Sequence, residues 1–228
     1  VTTELPLFPL GSVLFPGVVL PLHIFEHRYR QLVRDLAALP EGAPRRFGVV
    51  AIKDGHTLYE VGGAERGRDN VGALYDTGCT AEIDSIVEYE DGRYDITTTG
   101  VHRFRLREYD GEGPYPQGVV ELLDEVAGPE AEMLAPGLAT LFRKYQDALA
   151  KIRGVTITEI PDLPDDPTVL SYLIGAATVL DVYEKQRLLA IEGTSERLRA
   201  EAKLLRRETG LLKHIPSLPA VDLLRRRR

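Results

Sequence analysis

A chain of 228 residues, 43% hydrophobic and 28% charged, holds one domain with a sizeable core, or one domain with an extension. Its net charge of −7 is uneven: residues 1–128 carry 12 Lys and Arg against 21 Asp and Glu (−9), and residues 129–228 carry 16 against 14 (+2). So acidic a first half argues against non-specific nucleic-acid binding, which works by neutralising phosphates.

In residues 5–34, apolar runs are punctuated by Pro6, Pro9, Pro16 and Pro21. Proline gives no N–H to a ladder, so the strands here are predicted to be short, bulged or at an edge. Phe15-Pro16-Gly17 predicts a tight turn, with Pro16 fixing φ and Gly17 free to take a positive one. Phe25, Tyr29, Leu32, Val33 and Leu36 then recur at three- and four-residue spacing, one face of a helix opening near Glu26. Residues 46–53 read as a strand buried on both faces. The polar, Gly-rich stretch 53–72 reads as a long loop with a short strand at 58–61. Thr80–Glu90 alternates, with Ala81, Ile83, Ser85, Val87 and Tyr89 on one side. Asp91-Gly92 predicts a two-residue hairpin, and 94–99 the return strand. Gly100 predicts a bulge or bend. Between Val101 and Tyr109, His102, Phe104 and Leu106 oppose Arg103, Arg105 and Arg107, predicting an apolar inner face under a solvated basic one. Residues 118–125 make the last strand.

At Gly128-Pro129 the period changes. Pro129 suits a first helical turn, and Glu130 and Glu132 complement its dipole. That helix is predicted to reach about Arg153, bent or divided at Pro136. Residues 154–166 read as a loop. Asp166-Pro167 opens a second helix, apolar around most of its circumference and hence central. Asp181 and Glu184 have capping-box spacing for a third helix, ended by Gly193. Thr194 caps a fourth, closed by Gly210. A Pro-broken tail ends in Arg225–Arg228.

The string LPLFPLGSVLFPGVVLPLHIFEHRYRQLV resembles the opening signature of the LON domain, the amino-terminal substrate-binding domain of Lon proteases. His27 stands where that family usually has proline. EDGRYDITTTGVHRFRL (90–106) resembles the family's hairpin, and SYLIGAATVLDVYEKQRLLAIEGTSERLRAEAKLLRRE (171–208) its carboxy-terminal helices. The resemblance implies an α+β fold, a PUA-like antiparallel β pseudo-barrel with one helix followed by a helical bundle; the change of period at Gly128-Pro129 and the Pro-broken tail divide the chain into 1–127, 128–210 and a basic tail over 211–228. The resemblance also implies a free-standing, non-catalytic protein- or peptide-binding relative of the Lon substrate-recognition domain, an adaptor or sensor for unfolded or hydrophobic segments.

The candidate chemistry agrees with that reading. His23-Ile24-Phe25-Glu26-His27 matches the pattern H-x-x-E-H, but a zinc site needs both histidines on one helix. With residue 23 in a strand, the two lie roughly 13 Å apart at about 3.3 Å per residue. No P-loop, Ser–Lys or G-x-S-x-G context occurs, so neither catalysis nor a cofactor or metal is expected. Leu14, Phe15 and Pro16 sit in a turn, where apolar side chains are hard to bury. They are the candidate peptide-binding residues if exposed, and core if Phe15 folds back. A small ligand or RNA in the barrel groove is the alternative function, and an unrecognised hydrolase a third. Cys79 is alone, which excludes an intrachain disulfide and fits a reducing cytoplasm. No uninterrupted apolar run reaches membrane-spanning length, and no signal peptide is evident.

Overall fold

The computed structural model describes residues 2–53, 72–155 and 162–214. The strand expected at 58–61, part of the 154–166 loop and the Arg225–Arg228 tail lie outside the described residues. The elements are β1 (Thr2–Leu10), β2 (Val19–Ile24), α1 (His27–Ala37), β3 (Arg46–Ala51), β4 (Thr77–Glu88), β5 (Tyr94–Asp110), β6 (Gln117–Leu122), α2 (Ala131–Arg153), α3 (Pro167–Ala177), α4 (Val182–Ala190) and α5 (Thr194–His214). Two compact units emerge. One combines Val1–Val126 with Tyr172–Gly193, and the other combines Ala127–Ser171 with Thr194–Arg228. Tyr172–Gly193, read in the sequence as part of the helical extension, thus groups with the strands.

In the first unit the strand order is β2-β5-β4-β3-β1-β6, and β5 also pairs with β6. Five strands thus close into a ring, and β2 is the edge strand, paired with β5. The fold is α+β, with antiparallel pairs throughout except β1–β3, which is parallel. A parallel pair needs a crossover, and the stretch containing β2 and α1 provides it.

The prolines of β1 do not shorten it. Thr2–Pro6 pairs with β6 and Leu7–Leu10 with β3. Each half is paired on one side, so each half is locally an edge, and a residue without an N–H fits. β1 also divides the core. Phe8 stacks on Tyr29 at 4.0 Å and joins Leu32, Val33, Leu36 and Phe47, while Leu7 joins Val50, Phe104, Leu106 and Val120. α1 therefore buries the face predicted, except that Phe25 precedes the helix and is 61% exposed.

Two bulges reset the alternation between β4 and β5. Val101 and His102 oppose Thr80 alone, and the Thr80 hydroxyl fills the bulge, donating to the His102 carbonyl and accepting the His102 N–H. His102, expected inside, is turned out. Gly100 lies just before it, and a Cβ there would stand 2.3 Å from the Phe15 carbonyl oxygen. That approach is part of a link in which Gly17 N–H donates to Gly100 and Gly100 N–H donates to Val18. The hairpin after β4 has three residues rather than two. Tyr89 N–H donates to Arg93 C=O, Gly92 N–H donates to Tyr89 C=O, and Gly92 takes φ 76°.

The expectation of a solvated Arg103 is wrong. Arg103 does point away from Phe104, but the segment Tyr172–Gly193 covers that face, and Arg103 is fully buried. Its Nε donates to Glu125 at 2.8 Å, Nη1 to the carbonyls of Leu189 and Ile191 at 3.0 and 2.6 Å, and Nη2 to that of Glu192 at 3.1 Å. Arginine's planar fork can serve several acceptors at once, and the carbonyls at the end of α4 have no partner in the helix. Tyr172 donates to Glu125, and Gln186 Nε2 donates to Thr77 C=O at 2.7 Å. Asp181 caps α4 by accepting the Glu184 N–H, as its spacing predicts. Arg105 and Arg107 reach solvent and pair with Glu192 and Glu121.

In the second unit α2 is continuous through Pro136. Its Ala135, Leu138, Phe142 and Tyr145 form one buried stripe along α5, whose Leu198 and Leu205 are buried. Asp166 caps α3 through the N–H groups of Thr168 and Val169. α3 is not apolar all round in its surroundings, since Val169 and Leu173 are exposed. α5 runs past Gly210, whose place inside a helix costs stability but breaks nothing. Arg197, also fully buried, donates to Ser171 at 2.7 Å, and Ser171 donates to Glu201 at 3.1 Å. The second Glu201 oxygen is buried without a hydrogen-bond partner.

Two predictions follow from these buried charges. Arg103→Ala takes the guanidinium from Glu125 and its donors from the carbonyls of Leu189, Ile191 and Glu192, so it is expected to cost about 3 kcal/mol in urea unfolding. Unchanged stability would mean that the guanidinium does not hold the α4 segment. Burial pushes the Glu201 carboxyl up to about 8, against the opposing pull of Arg197 and the Ser171 hydroxyl. A carboxyl raised on folding is best tolerated below its ordinary range and costs stability as pH climbs through its folded value. The stability difference between Glu201→Gln and the natural chain should therefore shift towards the variant by about 2–4 kcal/mol between about pH 5 and pH 9. A pH-independent difference between the two would refute the buried neutral acid.

Candidate functional site

β2 is the edge strand, and its sequence, Val-Leu-Pro-Leu-His-Ile, alternates what it shows to each side. Leu20, Leu22 and Ile24 turn to the core, while Val19, Pro21 and His23 turn outward. The register carries that outward face across three strands. His23 lies beside Asp95 and Asp95 beside Val87, and Pro21 lies beside Thr97 and Thr97 beside Ser85. A second bulge, between Ile83 and Ser85, is the reason Ser85 and Val87 face out although they share parity with buried Ala81. Asp84, the extra residue, accepts from the Thr99 hydroxyl at 2.7 Å.

Apolar groups stand on this face in water. Phe25 is 61% exposed, Val19 58%, Val87 54% and Tyr89 42%. The His23 ring lies between two of them, 6.2 Å from the Phe25 centroid and 6.3 Å from that of Tyr89. Polar groups fix the ring. Its Nδ1 lies 2.6 Å from Asp95 Oδ1, and Arg93 Nη1 lies 3.3 Å from its Nε2. An Nε2 that accepts from Arg93 leaves the proton on Nδ1, where Asp95 accepts it. Asp95 also accepts the Tyr89 hydroxyl proton. These two bonds, Tyr89's the stronger influence, hold Asp95 below the usual carboxylate range, and the Asp95 bond raises the Tyr89 phenol. Arg93 sits over the Tyr89 ring at 6.0 Å and is anchored by Asp91 at 2.7 Å. The result is a braced aromatic patch at the end of an open strand edge. The arrangement suits contact with apolar side chains on an extended segment.

The residues singled out from the sequence fare differently. Leu14 and Phe15 are buried and Pro16 is half-buried. The Phe15 ring lies 6.2 Å from that of Tyr172, so the turn folds back onto its own unit. A peptide contact by Leu14 or Phe15 would require them to leave the core. His23 and His27 fall on different elements, β2 and the first residue of α1, so the one-helix condition for H-x-x-E-H is not met. The exposed patch was missed in the sequence. Its signal in the sequence is Val19, an apolar residue on the outward side of β2, whereas Val87 falls on the apolar side of the alternation and is turned out only by the bulge at Asp84.

Residues 4–207 match the family described as the ATP-dependent protease La (LON) substrate-binding domain. A Lon protease of Anaeromyxobacter dehalogenans is 27% identical over 92% of this chain, and Lon protease 2 of Myxococcus xanthus matches to the same extent. In both cases the alignment takes in 24% of the relative, so this chain spans about a quarter of the length of the curated relatives it matches. The solved Lon N-terminal domain protein from Xanthomonas campestris superposes with a TM-score of 0.59 at 25% identity, covering 90% of this chain and 98% of that one. The N-terminal domain of Mycobacterium avium complex Lon protease gives the same TM-score at 18% identity over 91% and 98%, a likeness of fold. With its sequence matched nearly end to end and its ring of strands shared with those structures, the chain belongs to the LON substrate-binding domain family.

Proposed function

We propose that this chain recognises protein or peptide segments without transforming them, and that the open edge of β2 with its aromatic patch makes the contact. Family membership supports a role in substrate recognition. The observation that carries the site is the joint exposure of Phe25, Tyr89, Val87 and Val19 beside the edge strand of an otherwise closed ring. An extended segment laid along β2 gains main-chain hydrogen bonds from the edge that no other described strand pairs, and its alternate side chains meet the patch. Pro21 has no N–H to give, so the edge is usable yet poor as a template for continuous pairing. Such a surface is selective for exposed apolar residues and tolerant of sequence, as recognition of unfolded segments requires.

Titrating a thiol-blocked, permanently unfolded model protein against the chain tests this. Replacing Phe25 and Tyr89 together by serine should weaken binding at least fivefold with only a small fall in melting temperature, because Phe25 is mostly exposed and the Tyr89–Asp95 hydrogen bond lies at the surface, where such contacts contribute about 1 kcal/mol or less to folding. Phe15→Ser should do the reverse, costing about 3 kcal/mol of stability through lost packing and a buried hydroxyl. Full-strength binding by the Phe25/Tyr89 variant would remove the patch from the mechanism.

A further inference from the structure

The helical unit carries a second surface, distinct in chemistry from the β2 patch. α2 and α5 lie side by side, and two grooves run along their seam. One is lined by Leu134, Leu138 and Leu141 of α2 with Leu198, Ala202 and Arg206 of α5. The other is lined by residues 144–152 of α2 and 209–213 of α5. The numbers rise together, so the helices are parallel and both carboxy-terminal ends reach the second groove. That groove has a volume of about 410 Å³. Its floor is Ala148, Ile152 and Leu212, and its rim carries Lys144, Lys151 and Lys213 with one acid, Asp147. The chain has six lysines among its 28 basic residues, so half of its lysines stand on this rim.

Among the described residues none of these three ammonium groups has an ion-pair or hydrogen-bond partner, and all three side chains are exposed. Helix geometry accounts for part of this. Lys151 and Lys213 lie in the last turns of α2 and α5, where a cation complements the negative end of the dipole. Lys144 lies too far from either helix end for that explanation. It shares the groove-facing stripe with Ala148, Lys151 and Ile152, at the spacing of one helix face.

We propose that this groove docks an acidic amphipathic helix of a partner protein, lying antiparallel to α2 and α5. Apolar residues of that helix at three- and four-residue spacing would fill the floor over Ala148, Ile152 and Leu212. Its acidic residues would meet Lys144, Lys151 and Lys213. The antiparallel orientation follows from the dipoles. The two carboxy-terminal ends form a negative pole at this site, which favours the positive amino-terminal end of an incoming helix. Carboxylates gather in the first turn of a stable helix, and there they would face Lys151 and Lys213.

The test is fluorescence anisotropy on the full chain with a labelled synthetic helix bearing leucines on one face and glutamates concentrated in its first two turns. Binding should weaken at least tenfold when lysines replace the glutamates. It should also weaken at least tenfold in the double variant Lys144→Glu/Lys213→Glu, and remain unchanged in Lys203→Glu, a lysine of α5 away from the groove. Circular dichroism melting of each variant separates lost binding from lost folding. Equal binding of the charge-inverted peptide, or full binding by the double variant, would overturn the proposal. So would sedimentation showing that the same lysines instead support self-association of this chain. Lysine-dependent pelleting with phosphatidylglycerol vesicles in the absence of peptide binding would overturn it in favour of a membrane surface.

Discussion

The buried guanidinium of Arg103 organises the barrel unit. A charge taken out of water is tolerated when its hydrogen-bonding positions are met, and here a carboxylate and the carbonyls of Leu189, Ile191 and Glu192 meet them. Those carbonyls belong to the end of α4 and the residues after it, some ninety positions along the chain from β5. Sheet and helix ladders have no use for them, so without Arg103 they would need water or lie unpaired. Arg103 therefore ties Tyr172–Gly193 to the strands, together with Gln186, which donates to Thr77 C=O. Tyr172 follows from the same arrangement, since it donates to Glu125, the carboxylate that Arg103 engages, and presents its ring to Phe15.

That closure has a consequence for recognition. Once Tyr172 shields Phe15 and the segment around α4 covers the outer face of β5 at Arg103, the apolar groups of the first turn are consumed by folding. The surface proposed for a partner lies at the other end of β5, where Tyr94–Thr99 is flanked by β2 and β4 and, among the described residues, no helix covers the outward side chains. The same strand is thus sealed along one half and open along the other. The bulges mark the transition, since each shifts the alternation and lets threonine, histidine and valine exchange faces within a few residues.

Much of the fold was legible in the sequence, and the failures have one physical origin. Periodicity located α1, β3, the β4–β5 hairpin and the capped helices α3 and α4, because those signals are local: Tyr29, Leu32, Val33 and Leu36 repeat at helical spacing, and Asp181 caps within three residues. The burial of Arg103 is illegible because alternation reports which way a side chain points and says nothing of what lies beyond it. Local sequence cannot decide the place of Phe15 for the same reason, since its burial depends on Tyr172, far along the chain. Alternation puts Val87 and Tyr89 on the face of Ala81 because a bulge at Asp84 leaves no mark that it can read. Family resemblance supplied the ring of strands, which no single segment encodes.

Arg197 and Glu201 in the helical unit show the opposite solution to the one adopted at Arg103. The two residues are a turn apart on α5 and share Ser171, yet one Glu201 oxygen has no hydrogen-bond partner and its carboxyl is driven towards the neutral form. A neutral acid can both donate and accept, so it fits a site with few polar groups where a carboxylate does not. The barrel unit satisfies its buried charge by surrounding it with acceptors. The helical unit instead favours a protonated acid. Stability of the helical unit is thereby tied to proton activity in a way that the barrel's arginine, charged at any accessible pH, cannot be.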